Sequence, residues 1–277
     1  MFRKINCPKC GNPIDENKFE CDVCGRNEPK NIKLKFISML PAWKQLVLFV
    51  IGFVGFQFLA YLISFIVLQI AKAQLGVGTF EYYAFIDSYK YVGYVNFTSY
   101  LLIFAALGAL IIKDAHEVLK TFTKLKPLIA GLLGLFVILI FNAIYTSILN
   151  LSGISLSINA NENAIDNIVV QYPVFSLIIF GIIGPIVEEI TYRVGVFSFF
   201  SRINKILAYV LTVIIFTLIH FEFTSSTIIN ELLNLPLYLS AAFVLCYLYD
   251  HYGFAGSVYC HVFNNVLSII STIALTR

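Results

Sequence analysis

Charge is what this sequence is short of. Only 13% of its 277 residues are Asp, Glu, Lys or Arg, about half of the roughly 25% usual in a soluble domain. In its place stands apolar surface: 59% of the residues are hydrophobic and 26 are Phe. A soluble core of this size does not need so much, and several runs exceed the ~18 residues that license a membrane-spanning helix. The composition therefore excludes a soluble domain and predicts an all-α polytopic membrane protein. A cleavable leader is not expected, because residues 1–40 are charged and the first long apolar run begins only near Leu46, too late and too long for one. No internal repeat or low-complexity tract is visible. The formal charge of +3 says little by itself, but nine of the 19 Lys and Arg precede residue 45.

The apolar runs predict seven spans, at 46–71, 92–112, 128–150, 174–200, 206–222, 233–249 and 255–274. The connection 113–127 carries Lys113, Lys120, Lys124 and Lys126 against Asp114 and Glu117, whereas 151–173 carries Glu162 and Asp166 and no Lys or Arg. Arg202 and Lys205 follow the fourth span, Glu222 and Glu231 the fifth. This alternation places the N-terminus in the cytoplasm of a multi-pass protein in the cell membrane, and seven spans place the C-terminus outside. The Tyr-rich stretch 72–91 is expected at the outer interface, and 113–126 as a short surface helix.

Cysteines divide into two sets. Cys246 and Cys260 lie in apolar helices, where a thiol is usually a small hydrophobe. Cys7, Cys10, Cys21 and Cys24 form two C-x-x-C-G knuckles in the polar head, residues 1–28. Four thiolates in this spacing make the closed tetrahedral set of structural zinc, and so short a head needs such a metal to fold. The head resembles the zinc ribbons at the N-termini of many bacterial membrane proteins, which assigns no activity but allows a cytosolic partner. A basic juxtamembrane linker, 29–45, leads to a transmembrane domain, 46–277. No nucleic-acid partner is expected.

Ionisable groups inside the spans are few, and an acid at the bilayer centre costs at least ~2.5 kcal/mol, so each is a functional candidate. Glu188 and Glu189 lie side by side after an apolar run, in Glu188-Glu189-Ile190-Thr191-Tyr192-Arg193. Glu189 and Arg193, four apart, share a helix face, and Glu188 is turned away by about 100°. Gly181, Gly184 and Pro185 just upstream suit a kink or close helix approach. Phe216 and His220 share a face of the next span, and His261 and Asn265 a face of the last, where N–H donors suit a developing oxyanion. Gly253 and Gly256 before that pair suit a tight turn. Counting rise per residue, Glu188, His220 and Asn265 fall within one or two turns of mid-span, and His261 slightly nearer the inner face.

In this order, E-E-x-x-x-R, F-x-x-x-H and H-x-x-x-N, the residues resemble the signature of the CPBP intramembrane glutamic endopeptidases, relatives of the type II CAAX prenyl endopeptidase and of bacteriocin-processing and immunity proteins. The resemblance covers roughly 130–277. It implies hydrolysis of membrane-associated protein or peptide substrates in the bilayer by a glutamate-activated water. Glu188 is then the general base, His220 holds or polarises the water, His261 and Asn265 form the oxyanion site, Glu189 with Arg193 supports, and no catalytic metal takes part. A cavity open to the cytosolic side is implied as well. Three other readings stay open. A metalloprotease needs a site built from different helices, since H-E-x-x-H is missing. A non-catalytic scaffold or immunity-type protein keeps the fold without the chemistry. A proton-coupled transporter uses buried acids and histidines in the same way, although paired broken half-repeats are not seen.

Overall fold

The computed structural model describes residues 5, 6, 12–14, 23, 40–224 and 227–276. In the head, strands β1 (Ile5–Asn6) and β2 (Pro13–Ile14) pair antiparallel, Ile5 opposite Ile14. Cys7, Cys10, Cys21 and Cys24 lie outside the described residues, and with them the expected zinc ribbon.

The remainder is helical: α1 (Ala42–Leu75), α2 (Phe80–Ile86), α3 (Tyr89–Asp114), α4 (Ala115–Phe122), α5 (Leu125–Leu151), α6 (Ala160–Gln171), α7 (Pro173–Phe200), α8 (Lys205–Leu218) and α9 (Ile228–Leu275). Local chemistry sets several boundaries. Thr79, Ser88, Asn159 and Asn204 cap α2, α3, α6 and α8 by accepting a backbone N–H three residues on, and Pro173 opens α7 at the position where its missing N–H costs nothing.

Among the described residues, five helices are long and apolar enough to cross a membrane: α1, α3, α5, α7 and α9. Two features separate this count from the seven expected spans. The run expected over 206–222 stops as helix at Leu218, after 14 residues, and continues as a turn. The runs expected at 233–249 and 255–274 both lie in α9, whose backbone breaks at Gly253 (φ 78°, ψ −172°), a left-handed conformation that glycine adopts without steric cost. The two arms of α9 fold back along α5. Tyr145 donates to the Leu233 carbonyl at 2.8 Å, and a Cβ on Gly131 would lie 2.6 Å from Tyr259, one on Gly134 2.6 Å from Leu248.

The basic connections gather at one end of the bundle. Lys44 pairs with Asp114 at 3.3 Å, Arg202 donates to the Leu40 carbonyl and to Gln45, and Lys205 pairs with the buried Asp250. At the opposite end, Ser157 and Ile158 bond to Asn230, and Thr272 donates to Asp166. Between the ends α7 is central. Of its most apolar stretch 56% is buried, against 17% for α1, so α1 faces outward and α7 carries the interior. Contact of α1 with α7 depends on a missing side chain: a Cβ on Gly52 would fall inside the side chain of Thr191. Small residues permit this approach of two helices, as at many helix contacts in membranes.

Candidate active site

Helix α7 is not regular. It winds as π-helix over Ile179–Ile183 and Glu189–Phe197, on both sides of Pro185, which has no N–H to give to an α-helical ladder. Such wide turns recur at functional sites. Every residue of the second π segment is buried, including Glu189 and Arg193, both with 0% of the side chain exposed. Glu188, one residue earlier, keeps 15%.

The two carboxylates are thus held differently. Glu189 Oε1 meets Arg193 Nη1 at 3.1 Å and His261 Nδ1 at 2.9 Å. A carboxylate only accepts, so Nδ1 of His261 carries the hydrogen, and Nε2 faces the other acid, 3.7 Å from Glu188 Oε2. Tyr100 of α3 also donates to Glu188 Oε1 at 3.2 Å. The ring of Tyr100 lies against α7 beside Gly184, where an added Cβ would meet it at 3.4 Å, an ordinary van der Waals contact.

Phe216 joins the remaining parts. Its ring lies under the Arg193 guanidinium at 4.3 Å, a cation–π contact of about 2 kcal/mol or more where both groups are dry, and packs edge-on to His261 at 5.8 Å. Its carbonyl accepts from His220 Nδ1 at 2.8 Å; carbonyls do not donate, so Nδ1 carries the hydrogen and Nε2 is the free nitrogen. His220 stacks on Tyr238 of α9 at 4.8 Å. The sequence places His220 inside a span; it sits instead on the turn beyond α8. Asn265 gives one hydrogen of Nδ2 to the Phe180 carbonyl at 3.1 Å and has a second to offer.

Glu188, His220, His261 and Asn265 all line one cavity of about 350 Å³. Glu189 and Arg193 do not line it; they lie behind His261. The wall also includes Gln57, Asn96, Tyr100, Glu162, Asp166 and Asn264. None of residues 113–127 or 201–206 reaches it, so the cavity extends away from the basic end, towards α6. The resemblance implied an opening at the basic end, and no residue of that end lines the cavity. Burial, with the neighbouring Asp166 second, holds the Glu162 carboxyl above the usual carboxylate range. Among the described residues no three His, Cys, Asp or Glu side chains converge as metal ligands.

Tyr100 is the principal residue that sequence reasoning missed. Its signal was present: Asn96 and Tyr100 are four apart on an apolar span, and both line the cavity.

Residues 170–267 match the family model described as type II CAAX prenyl endopeptidase Rce1-like. No curated protein and no solved structure matches the chain. The matched segment holds all seven signature residues, whereas Tyr100, Asn96 and the α6 wall of the cavity lie outside it.

Proposed function

We propose that this chain is an intramembrane endopeptidase that hydrolyses membrane-associated protein or peptide substrates with a water activated by Glu188. The family match supports protease chemistry. The observation that carries the glutamate mechanism is the unequal pair: Glu188 on the cavity wall, Glu189 sealed against Arg193 and His261. A base has to reach water, and only Glu188 does.

In the reaction, Glu188 takes a proton from water as the oxygen attacks the carbonyl carbon of the scissile peptide bond. The carbonyl electrons move to oxygen, where the spare Nδ2 hydrogen of Asn265 and His261, when protonated on Nε2, supply donors that act chiefly in the transition state. Collapse breaks the C–N bond, and Glu188 returns its proton to the departing amine. His220 presents Nε2 to the water. Glu189 and Arg193 fix the ring of His261, as a carboxylate fixes the histidine of a hydrolytic triad.

The chain crosses the cell membrane seven times, by α1, α3, α5, α7, α8 and the two arms of α9, with its N-terminus cytoplasmic. The cysteine head binds one structural zinc, and metal analysis should find about one zinc per full-length chain and none after Cys7→Ser and Cys21→Ser. The deciding experiment compares membrane peptidomes of cells carrying wild-type protein and Glu188→Gln, then tests the candidate peptides with both purified proteins. Cleavage by wild type alone supports the mechanism; equal cleavage by Glu188→Gln overturns it.

A further inference from the structure

His220 stands on the turn that follows α8, beyond the last helical residue, Leu218. Its backbone N–H reaches back to Thr217, and that of Phe221 to Leu218. The ring is held by the Phe216 carbonyl and by stacking on Tyr238; the backbone that carries it, on a two-bond turn, needs further support to meet the tolerance a reaction requires.

It comes from the start of α6. Asn159 is 1% exposed, although it is an amide at the mouth of a loop. Its Oδ1 accepts from the N–H of Glu162 at 2.8 Å and caps α6. Its Nδ2 donates to the carbonyl of His220 at 3.0 Å. An N–H and a C=O as partners leave only this orientation of the amide, and Asn159 also bonds the side chain of Tyr238, on which His220 stacks. Glu231, also 1% exposed, closes the same seam: Oε1 accepts from Ala160 N–H at 2.9 Å, and Oε2 from Glu222 N–H at 3.3 Å. Residues 159–160 are thereby stitched to 220–222. Neither Asn159 nor Glu231 lines the cavity, but the helix that Asn159 caps does, through Asn161, Glu162, Ile165 and Asp166.

We infer that Asn159 is a positioning residue for His220, and that it makes the placement of the imidazole depend on α6 being seated over the cavity. The inference rests on the proposed role of His220 in holding water. One side chain spends its acceptor on the cavity cover and its donor on the histidine turn, so displacement of either loosens the other. Asn159 lies outside the segment matched by the family model, so this coupling belongs to the part of the chain that the signature does not describe.

The test separates the two bonds. Asn159→Asp keeps a capping oxygen, since Asp caps as well as Asn, and removes the donor to His220. Asn159→Ala removes both. With the purified full-length chain in lipid nanodiscs, Asn159→Asp should lower kcat at least about tenfold, since the buried donor is lost to both the His220 carbonyl and Tyr238, with KM nearly unchanged. Hydrogen exchange should speed up at 219–222 and stay unchanged within α6. Asn159→Ala should in addition speed exchange in the first turn of α6. Wild-type kcat and unaltered exchange at 219–222 in Asn159→Asp would overturn the inference while leaving the protease reading intact. If wild type cleaves nothing, the protease reading fails, and exchange at 219–222 still decides the coupling.

Discussion

His261 donates through Nδ1 to Glu189 at 2.9 Å, and the accepting oxygen is the one that Arg193 meets at 3.1 Å. The three sequence motifs are therefore one network. Arg193 lies over Phe216, Phe216 accepts from His220 and touches His261, and His261 turns its second nitrogen to Glu188. Each motif supplies a partner that another would lack. A buried guanidinium without Glu189, or a buried carboxylate without Arg193, would bear the full cost of an unpaired charge.

From that network the two acids should separate cleanly on substitution. Glu188→Gln removes the proton acceptor at a partly exposed site and should abolish turnover with an unchanged melting curve. Glu189→Gln leaves the fully buried Arg193 without its anion and should cost about 3–5 kcal/mol of stability. It should therefore lower melting temperature and yield as well as activity. Melting and cleavage measured side by side on the two purified variants check both outcomes.

Helix contact in α7 makes a second prediction. A Cβ on Gly195 would stand 3.0 Å from the backbone N and 3.1 Å from the Cα of Phe49, and backbone atoms cannot step aside. Gly195→Ala should push α1 off α7 and lower the melting temperature markedly. Gly108→Ala on α3 meets nothing within 4 Å. It should be neutral or stabilising by up to about 1 kcal/mol, the usual gain for Ala over Gly inside a helix. Equal melting of the two variants would contradict the close approach.

Much of this site was legible because helices repeat locally. Spacing alone placed Glu189 with Arg193 and Phe216 with His220, and the glycines near 253 marked a turn before it was seen. What spacing did not reveal was contact between distant segments. Tyr100 and Glu188 are 88 residues apart, and the spacing of Asn96 and Tyr100 on α3 does not say which helix they face. The early end of α8 was hidden for a related reason. Residues 219–222 are held by Asn159 and Glu231, so tertiary hydrogen bonds replace the helical ones that an apolar run would otherwise make. The direction of the cavity was equally hidden, because it depends on α6 folding over α7.

The Glu162 carboxyl leads to a pH prediction. Its value is raised in the folded protein, by burial first and Asp166 second, so the folded state holds the proton more tightly than the unfolded chain. Stability from this group is then fully present below the ordinary carboxylate value and is lost as pH rises through the raised one. Glu162→Gln should flatten that part of the profile and raise the melting temperature at neutral pH. A pH series of melting curves for wild type and variant checks the sign. A variant less stable than wild type at neutral pH would mean that Glu162 has a favourable partner.

The last prediction concerns which side of the membrane the cavity serves. Lys113, Lys120, Lys124, Lys126, Arg202 and Lys205 cluster at one end, and basic connections stay in the cytoplasm. The cavity runs the other way, to a helix whose flanking connections carry no Lys or Arg. If the basic end is cytoplasmic, α6 lies on the outer side and substrate enters from there or from the outer leaflet. Single cysteines at Asn163 on α6 and at Thr123 beside α4, both exposed, test this. They should be placed in a chain whose four head cysteines are changed to Ser. Asn163→Cys should react with a membrane-impermeant maleimide on intact cells, and Thr123→Cys only after permeabilisation. The reverse pattern would invert the topology and return the cavity to the cytosolic side, leaving the chemistry of Glu188 untouched.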